Sequence, residues 1–132
     1  MYKIIKRNKI SDSRGWFLKV LEGNEESLKR EIGEFYVTVA LPNSFKGGHY
    51  HNLANEWFTL ISGSCILDLY DNKTSKRIQI NLSAEDPVTV FVPPNISHRF
   101  INVSDENFIL LAYSDQKYDP IDTIHYDFDK II

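Results

Sequence analysis

One cysteine, one methionine, six glycines and five prolines in 132 residues are a short supply of the residues that staple or interrupt a chain. Cys65 alone cannot form an intrachain disulfide, which excludes a disulfide-framed miniprotein and fits a reducing cytoplasm. No apolar run approaches the ~20 residues of a membrane-spanning helix. The opening MYKIIKRNKISD alternates charge with isoleucine and has no apolar stretch of signal-peptide length. Charge of one sign is scarce too: 15 Lys+Arg against 18 Asp+Glu leave a net −3, with no run of either. The basic face of a nucleic-acid-binding protein is therefore missing. Helical periodicity is confined to residues 25–32, where we expect about two turns.

What remains is 42% hydrophobic and 13% aromatic, enough for one compact domain over residues 1–132. A chain of this length buries about two-thirds of the surface its unfolded form exposes. We expect a cytoplasmic protein with no nucleic-acid or membrane partner. Short runs rich in β-branched and aromatic residues recur at 2–6, 16–21, 35–41, 45–51, 56–62, 64–70, 77–81, 88–92, 97–103 and 108–113. In 64–70, Ile66 and Asp68 alternate with Cys65, Leu67 and Leu69, the period-two signature of a strand. The separators NLAN, SGS, DNKTSK, SAEDP and PPNIS are turn chemistry. Ten short strands at even spacing predict an all-β jelly-roll barrel whose interior can hold a ligand. The acidic, aromatic tail 118–132 has little periodicity and is expected to wrap the barrel or a neighbouring subunit.

Three of the four histidines fall in two places. His49 and His51 are at i and i+2 near a strand end and share a face. Glu56 opens the next strand after the NLAN turn, and His98 opens another strand after Pro93-Pro94-Asn95-Ile96-Ser97. Three imidazoles and one carboxylate converge if these strands line one cavity. Such a set suits Zn, Mn, Fe or Ni. The same residues also serve as acid–base groups without a metal, and the sequence leaves both alternatives open.

The string HYHNLANEWFTLISG reads H-x-H-x4-E-x6-G, and PPNISHRFIN reads P-x4-H-x3-N. Both are similar to the two motifs of the cupin superfamily, over residues 35–113. Asn43, Pro87 and Asn95 stand where that family often has glycine, which touches turns rather than ligands. Asp12-Ser13-Arg14-Gly15-Trp16-Phe17 resembles a segment of dTDP-4-dehydrorhamnose 3,5-epimerases, and Lys46-Gly47-Gly48-His49 resembles the segment carrying their catalytic histidine. The H-x-H pair and the tail DTIHYDF are similar to sugar-nucleotide 3,4-ketoisomerases. The K-G-x-H-x-H segment is similar to the zinc-binding cupin domain of capsular-polysaccharide enzymes.

The resemblance implies a cupin barrel, dimeric, acting on a nucleotide-linked 4-keto-6-deoxy sugar for surface polysaccharide such as O-antigen or capsule. The expected reaction is C3 epimerisation, with 3,4-ketoisomerisation, or sugar or metal binding without turnover, as alternatives. It implies His49 and His51 as catalytic histidines, and a metal set, where a metal is bound, of His49, His51, Glu56 and His98. It implies Arg14 and Lys46 at the pyrophosphate and an aromatic near Phe17 at the nucleotide base; Phe17 and Trp57 are expected at the substrate, with core or interface as the alternative, and His98 is expected at the substrate too. Asp68 is expected to orient a histidine or touch substrate. The epimerases carry a tyrosine acid where Leu111 falls here; Tyr113 shares that face and is the substitute. The paired glycines are expected to leave room for a bulky substrate.

Overall fold

The computed structural model describes residues 2–13, 15–18, 20–22, 25–28 and 33–130, excepting the side chains of residues 11 and 15–17. Among these residues the chain forms β1 (Lys3–Lys6), β2 (Lys9–Asp12), β3 (Gly15–Leu18), β4 (Glu34–Ala40), β5 (Phe45–Tyr50), β6 (Glu56–Ser62), β7 (Ser64–Asp71), β8 (Arg77–Ser83), β9 (Val88–Val92), β10 (Ile96–Ile101), β11 (Phe108–Ser114) and β12 (Ile124–His125). A 3-10 turn spans Pro120–Asp122. Two five-stranded sheets have the orders β1-β9-β6-β11-β4 (sheet I) and β12-β5-β10-β7-β8 (sheet II), with β2-β3 a separate hairpin. Neighbouring strands run antiparallel, for example with His98 opposite His49 and Tyr113 opposite Trp57. From β4 to β7, and again from β8 to β12, successive strands cross between the sheets, which makes the fold a jelly roll.

All ten expected strands are present, with ends shifted by no more than three residues. Their alternation puts Phe58, Leu60, Leu67, Leu69, Val90, Phe100, Phe108 and Leu110 between the sheets as one core. Cys65 lies in that core, where burial pushes its thiol up to about 12; it packs as a small hydrophobe. Two strands escaped the sequence. Among the described residues strand β2 pairs only with β3, and β12 is two residues long and exists because it docks on β5. Where a helix was expected, residues 25–28 form a turn closed by Leu28 N–H donating to Glu25 O at 3.2 Å. Residues 29–32 lie outside the described residues.

Both outer faces are partly covered. On sheet I, Trp57, Phe91 and Tyr113 form a second cluster beneath Leu21 and Leu28. On sheet II lies the C-terminal segment: Tyr126 stacks on Tyr70 at 4.8 Å between ring centroids, and Phe128 is buried beside Arg77 and Arg99. The tail thus wraps the barrel of its own chain.

Candidate active site

Strand ends from both sheets build the site. His49 comes from the end of β5, His51 from just beyond it, and His98 from β10, with β5 and β10 neighbours in sheet II. Glu56 is the first residue of β6 in sheet I. One ligating atom from each of the four lies within 4.8 Å of all the others. The imidazole centroids of His49 and His98 are 4.9 Å apart, and those of His49 and His51 5.1 Å. The i, i+2 reading of the motif therefore places these side chains together.

A bulge sets this register. His98 faces His49, but Arg99 faces Gly47, so Gly48 is the extra residue. Gly47 and Gly48 have φ of +91° and +88°, the region glycine enters freely. A Cβ on Gly47 would sit 2.7 Å from the His98 carbonyl oxygen, and one on Gly48 3.3 Å from the Phe45 ring. The glycines accommodate strand pairing, which corrects the expectation that they clear space for a substrate.

The hydrogen bonds fix where the lone pairs point. His51 Nδ1 lies 2.7 Å from the Asp122 carbonyl oxygen, and His98 Nδ1 3.1 Å from the Ile96 carbonyl oxygen. A carbonyl only accepts, so both Nδ1 atoms carry the proton and both Nε2 atoms face Glu56. His51 Nε2 is 2.9 Å and His98 Nε2 3.4 Å from Glu56 Oε1. Neither contact is aligned as a hydrogen bond, and all three atoms are buried without a hydrogen-bond partner. We therefore read them as a charge cluster. Glu56 Oε2 accepts from the Tyr36 hydroxyl at 3.3 Å.

Burial and the neighbouring His98 and His51 push His49 down to about 4. Burial also lowers buried His98. For His51 burial acts downward, but the Glu56 carboxylate and the Asp122 carbonyl outweigh it and raise the group. Burial acts upward on Glu56, and the three histidines more than reverse it. The set thus combines a His51 whose protonated form is favoured and a Glu56 whose ionised form is favoured with a His49 held towards its neutral form. His49 lines the open cavity.

That cavity, about 350 Å³, is also lined by Glu34, Tyr36, Ala54, Ser114, Gln116, Lys117, Tyr118, Asp119, Asp122 and Thr123. Several expected residues lie elsewhere. Tyr113 does share a face with Leu111, but it is the outer face of sheet I. There Tyr113 packs on Trp57, Phe91 and Phe35, and its oxygen accepts from Gly33 N–H at 3.2 Å. Trp57 is buried in the same outer cluster, so neither it nor Tyr113 lines the cavity.

Asp68 is fully buried on the outer face of sheet II, bonded by Arg77 Nη2 at 2.6 Å and Arg99 Nη2 at 3.0 Å. It needs a partner, as an inward carboxylate does, but finds arginine rather than histidine. Lys46 is exposed on β5 and does not line the cavity. Arg14 lies outside the described residues; Phe17 sits on β3 opposite Ile10, its side chain likewise undescribed.

Tyr36, Glu34, Lys117 and Asp122 were missed. In β4 the alternation misleads: Phe35, Val37 and Val39 are exposed, and the more polar Tyr36 and Thr38 alternate inward with buried Ala40. Lys117 and Asp122 belong to the segment after β11, where no period assigns a face.

The fold and the four-residue cluster define a cupin-type barrel with its site between the two sheets at one end. The chain belongs to the polysaccharide biosynthesis C-terminal domain family, which matches residues 10–126. It is 24% identical over 123 residues to the spore coat polysaccharide biosynthesis protein SpsL of Bacillus subtilis (strain 168), covering 89% of this chain and 81% of that protein. It is 26% identical over 109 residues to UDP-2-acetamido-2,6-beta-L-arabino-hexul-4-ose reductase of Pseudomonas aeruginosa, covering 83% of this chain and only 28% of that enzyme.

Among solved structures, a dTDP sugar isomerase from Desulfovibrio desulfuricans G20 superposes with a TM-score of 0.88 at 19% identity, over 97% of this chain and 85% of that one. A double mutant of the 3'-monoepimerase ChmJ from Streptomyces bikiniensis, in complex with dTDP, superposes with a TM-score of 0.82 at 16% identity, over 94% and 68%. These likenesses bear out the cupin-type fold.

Proposed function

We propose that the protein is an isomerase of nucleotide-linked 4-keto-6-deoxy sugars, most directly a C3 epimerase, serving surface polysaccharide assembly. The observation that carries this reading is a histidine and a tyrosine that line one cavity from different sheets: His49 from sheet II, Tyr36 from sheet I. The relatives' polysaccharide and isomerase names support the substrate class.

The chemistry needs a base, a holder of negative charge and an acid. His49, held near 4, has its ring nitrogen free at neutral pH. It takes the C3 proton, and the C–H electron pair moves into the enolate of the C4 ketone. His51, whose protonated form the Glu56 carboxylate favours, stabilises that enolate. Tyr36, kept protonated by burial and by Glu56, delivers a proton to the opposite face of C3 and the ketone re-forms. Solvent returns the proton from His49 to Tyr36. Delivery at C4 instead, after enediol transfer, moves the ketone and gives the ketoisomerase outcome.

Lys117, at the cavity wall, takes the phosphate role expected of Lys46, with Arg14 as its expected companion. The exposed row Phe35, Val37 and Val39 on edge strand β4 supports a homodimer. Nucleotide-sugar chemistry and the single cysteine support a cytoplasmic setting.

Incubation in D2O with a panel of nucleotide 4-keto-6-deoxy sugars, followed by NMR, tests the function. Deuterium at C3, and none at C5, is expected. Absence of exchange with every sugar refutes it.

A second reading, metal binding at the same cluster, is favoured by one observation: His51 Nε2, His98 Nε2 and Glu56 Oε1 are buried and without hydrogen-bond partners. Histidines whose other ring nitrogen donates to a carbonyl are oriented as metal ligands commonly are. The four residues fit a divalent transition ion of the Zn, Mn, Fe or Ni type. Such an ion supplies Lewis-acid stabilisation of an enolate oxygen when bound. Metal analysis of gently purified protein, with exchange measured before and after chelation, separates the readings. About one metal per chain with no turnover on any sugar favours the second; metal-free protein with full exchange removes it.

A further inference from the structure

The loop that joins His51 to Glu56 crosses from sheet II to sheet I, and although the carbonyls of His51 and Asn55 accept from Asn95 and Asp115 N–H, its own N–H groups take no partner from either sheet. Its N–H groups are nevertheless all taken by carboxylates from one later segment. Asn52 N–H donates to Asp122 Oδ1 at 2.8 Å, and Leu53 N–H to the same oxygen at 3.1 Å. Ala54 N–H donates to Asp122 Oδ2 at 3.3 Å. Asn55 N–H donates to Asp115 Oδ1 at 2.9 Å, and the Asn55 side-chain amide to Asp115 Oδ2 at 2.9 Å. Both aspartates are buried.

Asp122 acts a second time through its carbonyl, which receives His51 Nδ1–H at 2.7 Å. It is itself fixed by a turn in which Asp119 accepts from Ile121 N–H at 2.9 Å and from Asp122 N–H at 3.0 Å. Directly afterwards β12 pairs with Tyr50 and His49. The segment therefore runs along 49–54 without a break and contacts both sides of His51.

We propose that Asp122, assisted by Asp115, is a positioning residue: it holds the loop that spaces His51 from Glu56 and fixes the proton of His51 on Nδ1. The C-terminal segment is then part of the site as well as a wrapping. Loss of partners that orient metal-ligating histidines typically costs about 10- to 100-fold in metal affinity or activity, and the same scale is expected for a histidine held in this way. In its catalytic consequence the proposal rests on the isomerase reading; in its structural consequence it does not.

The test uses the full chain in three variants. Asp122→Ala removes the carboxylate. Asp122→Asn keeps one acceptor oxygen for Asn52 and Leu53. Asp129→Asn loosens the tail far from the site, where Asp129 accepts from Arg99 at 3.1 Å. Proton–nitrogen correlation spectra of the imidazoles, on chelator-treated protein, read the His51 Nδ1–H directly, and substrate exchange gives kcat and KM.

The wild type and Asp129→Asn should show an Nδ1–H protected from solvent. Asp122→Ala should lose that protection and about 10- to 100-fold in kcat with KM changed less than threefold. Asp122→Asn should fall between and supplies the comparison if the alanine variant does not fold. A protected Nδ1–H of unchanged shift in Asp122→Asn and Asp122→Ala, with only the melting temperature lowered, overturns the assignment. Loss of protection in a protein inactive from the start would fail the isomerase reading and leave the positioning role standing.

Discussion

Replacing Gly47 and Gly48 one at a time tests the bulge that seats His49 against His98. An alanine at Gly47 must keep φ near +91°, and left-handed backbone costs an L-residue about 1–2 kcal/mol. Its Cβ would also lie 2.7 Å from the His98 carbonyl oxygen, a backbone atom that moves only if β5 and β10 separate. Overpacking of that kind adds about 1–3 kcal/mol. Gly48 has the same backbone cost, but its Cβ meets the Phe45 ring at 3.3 Å, and Phe45 is 51% exposed and can swing aside. Gly47→Ala should therefore cost about 2–5 kcal/mol and Gly48→Ala about 1–2. Against a total stability of about 5–15 kcal/mol, both shifts are easily read from urea midpoints at unchanged m-value. Gly47→Ala should also lower sugar exchange, because the 4.9 Å His49–His98 spacing depends on that strand pair. Equal midpoints for the two variants would refute the argument and return the glycines to a substrate-clearing role.

His49→Asn should slow C3 exchange by at least about 100-fold, the lower range of general-base contributions. With His49 held near 4, the acid limb of kcat/KM should fall near pH 4 rather than near the free histidine value of about 6.5. The unfolded chain binds that proton first, so the His49 contribution to stability is present above about pH 6.5 and declines as pH falls towards 4. An acid limb at 6.5 would count against the assignment. Asp68→Ala should destabilise by about 2–4 kcal/mol in thermal or urea unfolding, since it leaves buried Arg99 with only the exposed Asp129 carboxylate while Arg77 stays partly solvated. Burial acts upward on the Asp68 carboxyl, but Arg77 and Arg99 hold it below its usual value. Its contribution is therefore present above about pH 3.9 and is lost in stronger acid; a variant with wild-type acid stability would contradict this. Tyr36→Phe should lower C3 exchange by about 100-fold and Tyr113→Phe should change it little; the reverse order would reinstate Tyr113 as the acid.

The strands and the four-residue cluster were legible in the sequence for the same reason. Side chains alternate along a strand with period two, so His49 and His51 must share a face, and β7 must turn Leu67 and Leu69 one way and Asp68 the other. Periodicity says which residues go together but not which face is inside. That is why Tyr113 could be paired correctly with Leu111 and still lie on the outer face of sheet I, and why Tyr36 went unnoticed beside more apolar, exposed neighbours. The partners of buried charges were equally hidden: Asp68 was expected to orient a histidine or touch substrate, but β7–β8 and β7–β10 registry brought Arg77 and Arg99 to it. The segment after β11 carried least information. Asp115, Asp122 and β12 acquire their roles from docking on β5 and on the loop after it, contacts between residues some 60 to 80 positions apart along the chain. No local pattern encodes such contacts, because the energy that fixes them comes from unpaired backbone groups the barrel presents only once it has closed.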